Sequence, residues 1–84
     1  MISLTFGNVD GFVRKQQRKG VNVRIEGWTI VFFRPERRAE RNPRGRFDRK
    51  TGQWGLETRV DANSKGNWLV NPTLTRGNKV ATGK

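Results

Sequence analysis

The sequence predicts a mainly β fold: a small antiparallel sheet or half-open barrel of about five strands, with one short N-terminal helix or loop. Three observations support this class. Short runs alternate apolar with polar residues, turn residues separate these runs at roughly 8–14-residue spacing, and 84 residues suffice for one domain. An α+β arrangement is the alternative, because the pattern leaves the N-terminal helix open.

The N-terminal third begins with a short strand over residues 2–6, in which Ile2, Leu4 and Phe6 share one face. Asp10 suits the N-cap of a helix and Gly20 suits the C′ position, so residues 11–19 can form two helical turns. A basic loop is the other interpretation of this segment, since isolated helices of this length are marginal.

A β-hairpin forms the predicted centre of the sheet. Residues 21–26 alternate apolar with polar side chains, and residues 28–34 are mostly β-branched or aromatic, so Glu26-Gly27 is the expected tight turn. The run over residues 30–33 is apolar at every position, which predicts a central strand covered on both faces. Pro35 ends this strand.

Residues 34–46 contain two prolines and no apolar residue larger than alanine. This composition predicts a long exposed arginine-rich loop.

A second hairpin spans residues 46–60, with Gly52 closing its turn in a left-handed conformation. A short final strand over residues 68–70 stops at Asn71-Pro72. We therefore expect one β-rich domain over residues 1–72 and a flexible basic tail over residues 73–84.

Charge is the largest departure from average composition. Eighteen Lys and Arg oppose seven Asp and Glu, a net charge of +11, and twelve of the eighteen are arginine. Such an excess predicts attraction to polyanions, and arginine favours phosphate through its planar fork of donors. The candidate nucleic-acid-binding residues are the basic cluster of the predicted helix and the arginines of the predicted loop: Arg14, Lys15, Arg18, Lys19, Arg34, Arg37, Arg38, Arg41, Arg44, Arg46 and Arg49.

Two other interpretations of these cations stay open. They can dock the chain on an acidic surface of a larger protein machine, in which case arginine and tryptophan anchors dominate the energy. They can also form a solvated surface, with Glu36 and Glu40 pairing with neighbouring arginines. A short, strongly basic chain is also typical of viral or phage accessory proteins, which makes such a context one expectation.

The eight aromatic residues divide between core and surface. Trp28, Phe32, Trp54 and Trp68 share predicted faces with aliphatic residues and are assigned to the core. Phe33 and Phe47 adjoin arginines in the chain, so they are the candidates for stacking on nucleic-acid bases.

Catalysis and metal binding have little support in the composition. The chain has no histidine and no cysteine, which removes the usual nucleophile–base pairs and the commonest metal ligands. We expect a non-catalytic protein without metal or cofactor, and a minimal histidine-free ribonuclease is the third hypothesis. The longest apolar run has four residues against the ~20 that span a bilayer, and the N-terminus lacks a secretory signal, so we expect a cytoplasmic protein without a membrane partner.

Overall fold

The described part of the chain combines short strands with three short helical segments. The computed structural model describes residues 1–76, in which the elements follow the order β1 (Ile2–Leu4), α1 (Val9–Arg18), β2 (Val23–Glu26), β3 (Thr29–Pro35), η1 (Arg37–Arg41), β4 (Arg46–Asp48), β5 (Gln53–Asp61), β6 (Trp68–Val70) and η2 (Pro72–Thr75), where η marks a 3-10 helix. The predicted mainly β class is confirmed. The described strands form two antiparallel sheets and no closed barrel.

The larger sheet has the strand order β2-β3-β5-β4, and β1 pairs with β6 in the smaller sheet. The hairpin β2–β3 does contain the central strand, since β3 pairs with both β2 and β5. The run over residues 30–33 is buried throughout, as its composition predicted.

The two faces of the larger sheet differ in what covers them. Ile30 and Phe32 join a core cluster that includes residues of α1, β1 and β6, and we call this side the helix face. Val31 and Phe33 point to the other side together with Arg24, Glu26, Glu57 and Arg59, and we call that side the ion-pair face.

Helix α1 forms where the two-turn helix was expected, but it begins earlier. Asn8 rather than Asp10 occupies the N-cap position, and its side chain accepts a hydrogen bond from the Thr5 amide at 2.8 Å. Gly20 is the C′ residue, as predicted, with a φ of 90°. The Val21 amide bonds the Gln16 carbonyl at 3.0 Å, which completes a Schellman motif.

The turn of the first hairpin is displaced by one residue from the prediction. Glu26 pairs with Thr29, so the two loop residues are Gly27 and Trp28. Only Gly27 has a positive φ, at 61°, which fits a type II′ turn. Because Trp28 lies in the turn and not in the strand, its side chain does not share the sheet face with Ile30. Trp28 is 64% exposed, and its assignment to the core is wrong.

The expectation of a long exposed loop over residues 34–46 is also wrong in part. Arg34 belongs to β3, Arg46 begins β4, and η1 lies between them. Glu36 accepts a hydrogen bond from the Arg38 amide at 3.4 Å at the start of η1. Ala39 is fully buried against Gly45, because η1 packs on β4 and β5. A single small apolar residue therefore anchors the segment.

The second hairpin has the predicted strands and turn. Gly52 has a φ of 71°, and its amide bonds the Asp48 carbonyl at 2.7 Å. Trp54 is 36% exposed, contrary to its assignment to the core. It lies at the start of β5, whereas the core cluster reaches β5 only at Val60.

Phe33 is a third misassigned aromatic residue, because it is buried at 3% exposure. Its ring lies over Gly55, where a Cβ atom would be 2.5 Å from Cζ of Phe33. Phe33 therefore cannot stack on a base.

The end of the described chain packs on the core. Trp68 is 1% exposed, as expected, and Leu74 of η2 contacts the core cluster. The expected tail over residues 73–84 thus overlaps η2, and residues 77–84 lie outside the described part. None of the described helices has the length and apolar character needed to cross a membrane.

Candidate nucleic-acid interface

Two arginines are neutralised on the ion-pair face. Arg24 bonds Glu26 and lies 3.5 Å from Glu57, while Arg59 lies 3.4 Å from Glu26 and 3.5 Å from Glu57. The hydrogen bond from Arg24 lowers the pKa of Glu26, and the same bond raises the pKa of Arg24. The four charges sum to zero, so this network is a poor place for a polyanion.

The predicted nucleic-acid-binding residues, unlike Arg24 and Arg59, form no ion pairs in the described part of the chain. Among residues 1–76 the ion pairs involve only Arg24 and Arg59 as cations, so none of the eleven predicted cations forms one. Within the same residues, neither Glu36 nor Glu40 pairs with an arginine, contrary to the solvated-surface alternative, and Glu36 instead caps η1. These cations are therefore available to a ligand.

The structure does not gather the predicted cations into one surface. Helix α1, with its four cations, packs on β2, whereas η1 packs on β5 and β4. Because β2 and β4 are the two edges of the sheet, three strand spacings, or about 14 Å, separate the two groups. Arg34 projects from the helix face beside Leu56, its partner in β5, whereas Arg46 lies on the ion-pair face beside Gly55.

An aromatic pair is exposed on the helix face at the β4 edge. Phe47 and Trp54 are direct partners in the β4–β5 ladder, with ring centroids 5.6 Å apart and an interplanar angle of 60°. Phe47 is 51% exposed, so its ring is accessible, as stacking on a base requires. The sequence reasoning missed Trp54, and the position of its hairpin at a sheet edge was the signal that could have found it.

A cleft of about 210 Å³ lies on the same face of the sheet as this aromatic pair. Its polar lining residues are Asn22, Arg34, Thr58, Thr73 and Arg76, and none of its lining residues is acidic. Leu56 forms part of the apolar wall and lies two residues from Trp54 on the same face of β5, or about 7 Å along the strand. We call this the arginine cleft. Sequence reasoning predicted only Arg34 of its polar residues, since Arg76 fell in the expected tail.

A second cleft, of about 410 Å³, includes Trp54 in its lining. Its polar lining residues are Glu36, Arg37, Glu40 and Gln53, so two carboxylates oppose one guanidinium. The carboxylates repel phosphate but can accept hydrogen bonds from the amino groups of bases. We call this the glutamate cleft.

A different aromatic cluster occupies the far end of the sheet. The Phe6 ring lies 5.0 Å from that of Trp28 and 5.1 Å from that of Trp68, edge to face in both cases. Phe6 and Trp28 are exposed, while the Trp68 indole is buried and donates to the Trp28 carbonyl at 2.8 Å. The seven residues of β3 place Trp28 about 23 Å from the Trp54 end.

The comparisons with other proteins add no assignment. No protein-family model, curated protein or solved structure matches the chain. Within residues 1–76, no three acidic side chains come together in a group that could hold a metal ion. The charges, exposed rings and clefts described above are therefore the basis for assigning a function.

Proposed function

We propose that this chain is a non-catalytic module that binds single-stranded nucleic acid, with bases on the Phe47–Trp54 pair and phosphates on the surrounding cations. The supporting observation is that two features share one face of the sheet. An exposed aromatic pair and a cleft lined by two arginines and no acidic residue lie about 7 Å apart along β5, on a chain of net charge +11.

Single strands fit this surface better than duplexes. A ring can stack on a base only where the base face is accessible, and each such stack contributes about 1–3 kcal/mol in single-strand-binding proteins. A duplex offers its phosphates and groove edges but hides its base faces, so Phe47 and Trp54 would add little to its affinity.

The remaining predicted cations supply attraction without sequence preference. The exposed side chains of α1 and η1 carry charge on both edges of the sheet. Contacts between such cations and phosphates release counterions, so affinity falls as salt rises. The cleft that Trp54 lines permits some preference among bases, because base amino groups can donate hydrogen bonds to Glu36 or Glu40 there.

The direct test compares random-sequence single-stranded and duplex DNA and RNA by fluorescence anisotropy at two salt concentrations. We expect tighter binding of single strands and a log–log salt slope of several units. Equal or tighter binding of duplex would contradict the stacking surface, and absence of binding at low salt would remove the proposal. A gel of the RNA after incubation separates binding from the ribonuclease hypothesis.

An acidic protein surface is the second candidate partner. The exposed Phe6–Trp28 pair favours it, because aromatic residues with arginines often anchor protein interfaces. Under this alternative, replacement of Trp28 abolishes partner binding and replacement of Trp54 does not.

A further inference from the structure

We infer that the arginine cleft is a binding site for one phosphate group, next to the base that stacks on Trp54. This inference depends on the proposed function and names the subsite that holds the backbone of the bound strand. The ligand chemistry is a phosphodiester, or a terminal phosphate of the same strand.

The donors that line the cleft suit a phosphate. Arg34 and Arg76 each offer a planar fork of N–H groups, and the Asn22 amide and Thr58 hydroxyl add neutral donors. Thr73 contributes less, since its hydroxyl already donates to Asn71 Oδ1 at 3.1 Å. The oxygens of a phosphate can accept hydrogen bonds from several of these groups at once. A protonated amine or an apolar ligand has no acceptor atoms and cannot.

The size of the cleft limits what it can hold. Its volume of about 210 Å³ is below the ~300–1,000 Å³ of pockets that enclose a drug-sized ligand, so the cleft matches a phosphate better than a whole nucleotide. A single phosphate fits, with its sugar and base outside. The apolar walls, which include Phe32, Leu56 and Leu74, strengthen the attraction by lowering the local dielectric.

The charges near Trp54 orient the bound strand. The glutamate cleft, which Trp54 lines, has two carboxylates and one arginine, whereas the arginine cleft has two arginines and no acidic residue. A base stacked on Trp54 therefore has its backbone towards Arg34. The separation of about 7 Å between Trp54 and Leu56 along β5 places the phosphate close to that nucleotide.

The first test is Arg34→Gln, measured with a ten-residue oligothymidylate by fluorescence anisotropy. We expect about 10- to 100-fold weaker binding, the usual effect of losing charge-assisted hydrogen bonds, and a salt slope lower by about 0.7. Arg34 is exposed, so the fold should survive, which circular dichroism checks. Arg34→Lys keeps the charge but loses the fork, and we expect it to restore only part of the affinity.

The matched control is Lys65→Gln, which removes the same unit charge from an exposed turn outside the proposed interface. We expect less than a twofold effect. If both variants weaken binding equally, only net charge matters and the cleft is not a phosphate site, although the proposed function stands. If the unmodified protein binds no single strand, both proposals fail.

A scan with one neutral methylphosphonate linkage per oligonucleotide then locates the phosphate. A loss of affinity at one internal linkage, which Arg34→Gln abolishes, identifies a phosphodiester. If affinity changes only when a 5′ or 3′ terminal phosphate is added or removed, the cleft binds a terminal phosphate. Equal effects at every linkage, unchanged in Arg34→Gln, would overturn the inference.

Discussion

Replacement of Trp54 by alanine separates binding from stability. If a base stacks on this indole, the variant loses about 1–3 kcal/mol of binding free energy, or about 5- to 150-fold in affinity for a single strand. The structural cost is smaller than for a buried tryptophan, because the ring is partly exposed and its main contact is the edge-to-face pair with Phe47. Such a pair contributes about 0.5–1.5 kcal/mol, so we expect a melting temperature lower by a few degrees to about 10 °C.

The matched control for this variant is Trp28→Ala. Trp28 is also exposed and also has an edge-to-face partner, Phe6, at 5.0 Å, but it lies at the opposite end of β3. We expect a similar loss of thermal stability without loss of affinity. Anisotropy titrations at a temperature well below both transitions provide the comparison. Equal losses of affinity in the two variants, or unchanged affinity in Trp54→Ala, would refute the stacking surface.

Three further variants test other parts of the account. Gly55→Ala should destabilise the fold by about 1–3 kcal/mol or more, because the added Cβ would lie 2.5 Å from Cζ of Phe33; an unchanged melting temperature would contradict this packing. Glu26→Gln should lower the melting temperature at pH 7. The hydrogen bond from Arg24 lowers the pKa of Glu26, so ionised Glu26 stabilises the fold at every pH above 4.5, the usual pKa of a glutamate. The difference between this variant and the unmodified protein should disappear as the pH falls through the lowered pKa, and a difference that persists in acid would show another cause. Replacement of Arg37, Arg38 and Arg41 of η1 together by alanine should reduce the salt slope of single-strand binding by about 2 and barely change stability, because all three are exposed. A lower melting temperature with an unchanged slope would show that these arginines are structural.

Local patterns in the sequence predicted most of the elements. The apolar run over residues 30–33 identified the central strand, Gly20 marked the end of α1, and Gly52 marked the second turn. Each of these signals acts within a few residues of itself, so one sequence is enough to recognise it. The strand order was not predictable, because it depends on contacts between segments that are distant in the chain.

The candidate site was predicted less well, for the same physical reason. Periodicity separates the two faces of a strand but does not say where the covering elements end, so Trp54 was placed in a core that does not reach it. A shift of one residue in the turn moved Trp28 out of the strand. Phe33 became buried because Gly55 leaves room for its ring, which is a contact across 22 positions of sequence.

The charge count suggests a polyanionic ligand, which stays a prediction, and it does not say where such a ligand would bind. Twelve arginines indicate a polyanion, yet Arg24 and Arg59 are each neutralised by one glutamate two residues away in the same strand and one in another strand. The cross-strand contacts depend on the strand order, which no local pattern reveals. Arg76 joins Arg34 in a cleft only because η2 folds back on the core. Which arginines are free to bind a polyanion therefore depends on the tertiary structure.

The three tryptophan indole N–H signals in a ¹H–¹⁵N correlation spectrum test the central claim most directly. During titration with a ten-residue oligothymidylate, the account predicts that the Trp54 signal shifts while the signals of Trp28 and of the buried Trp68 stay in place. A shift of the Trp28 signal with an unmoved Trp54 signal, or no shift of any indole at saturating oligonucleotide, would contradict it.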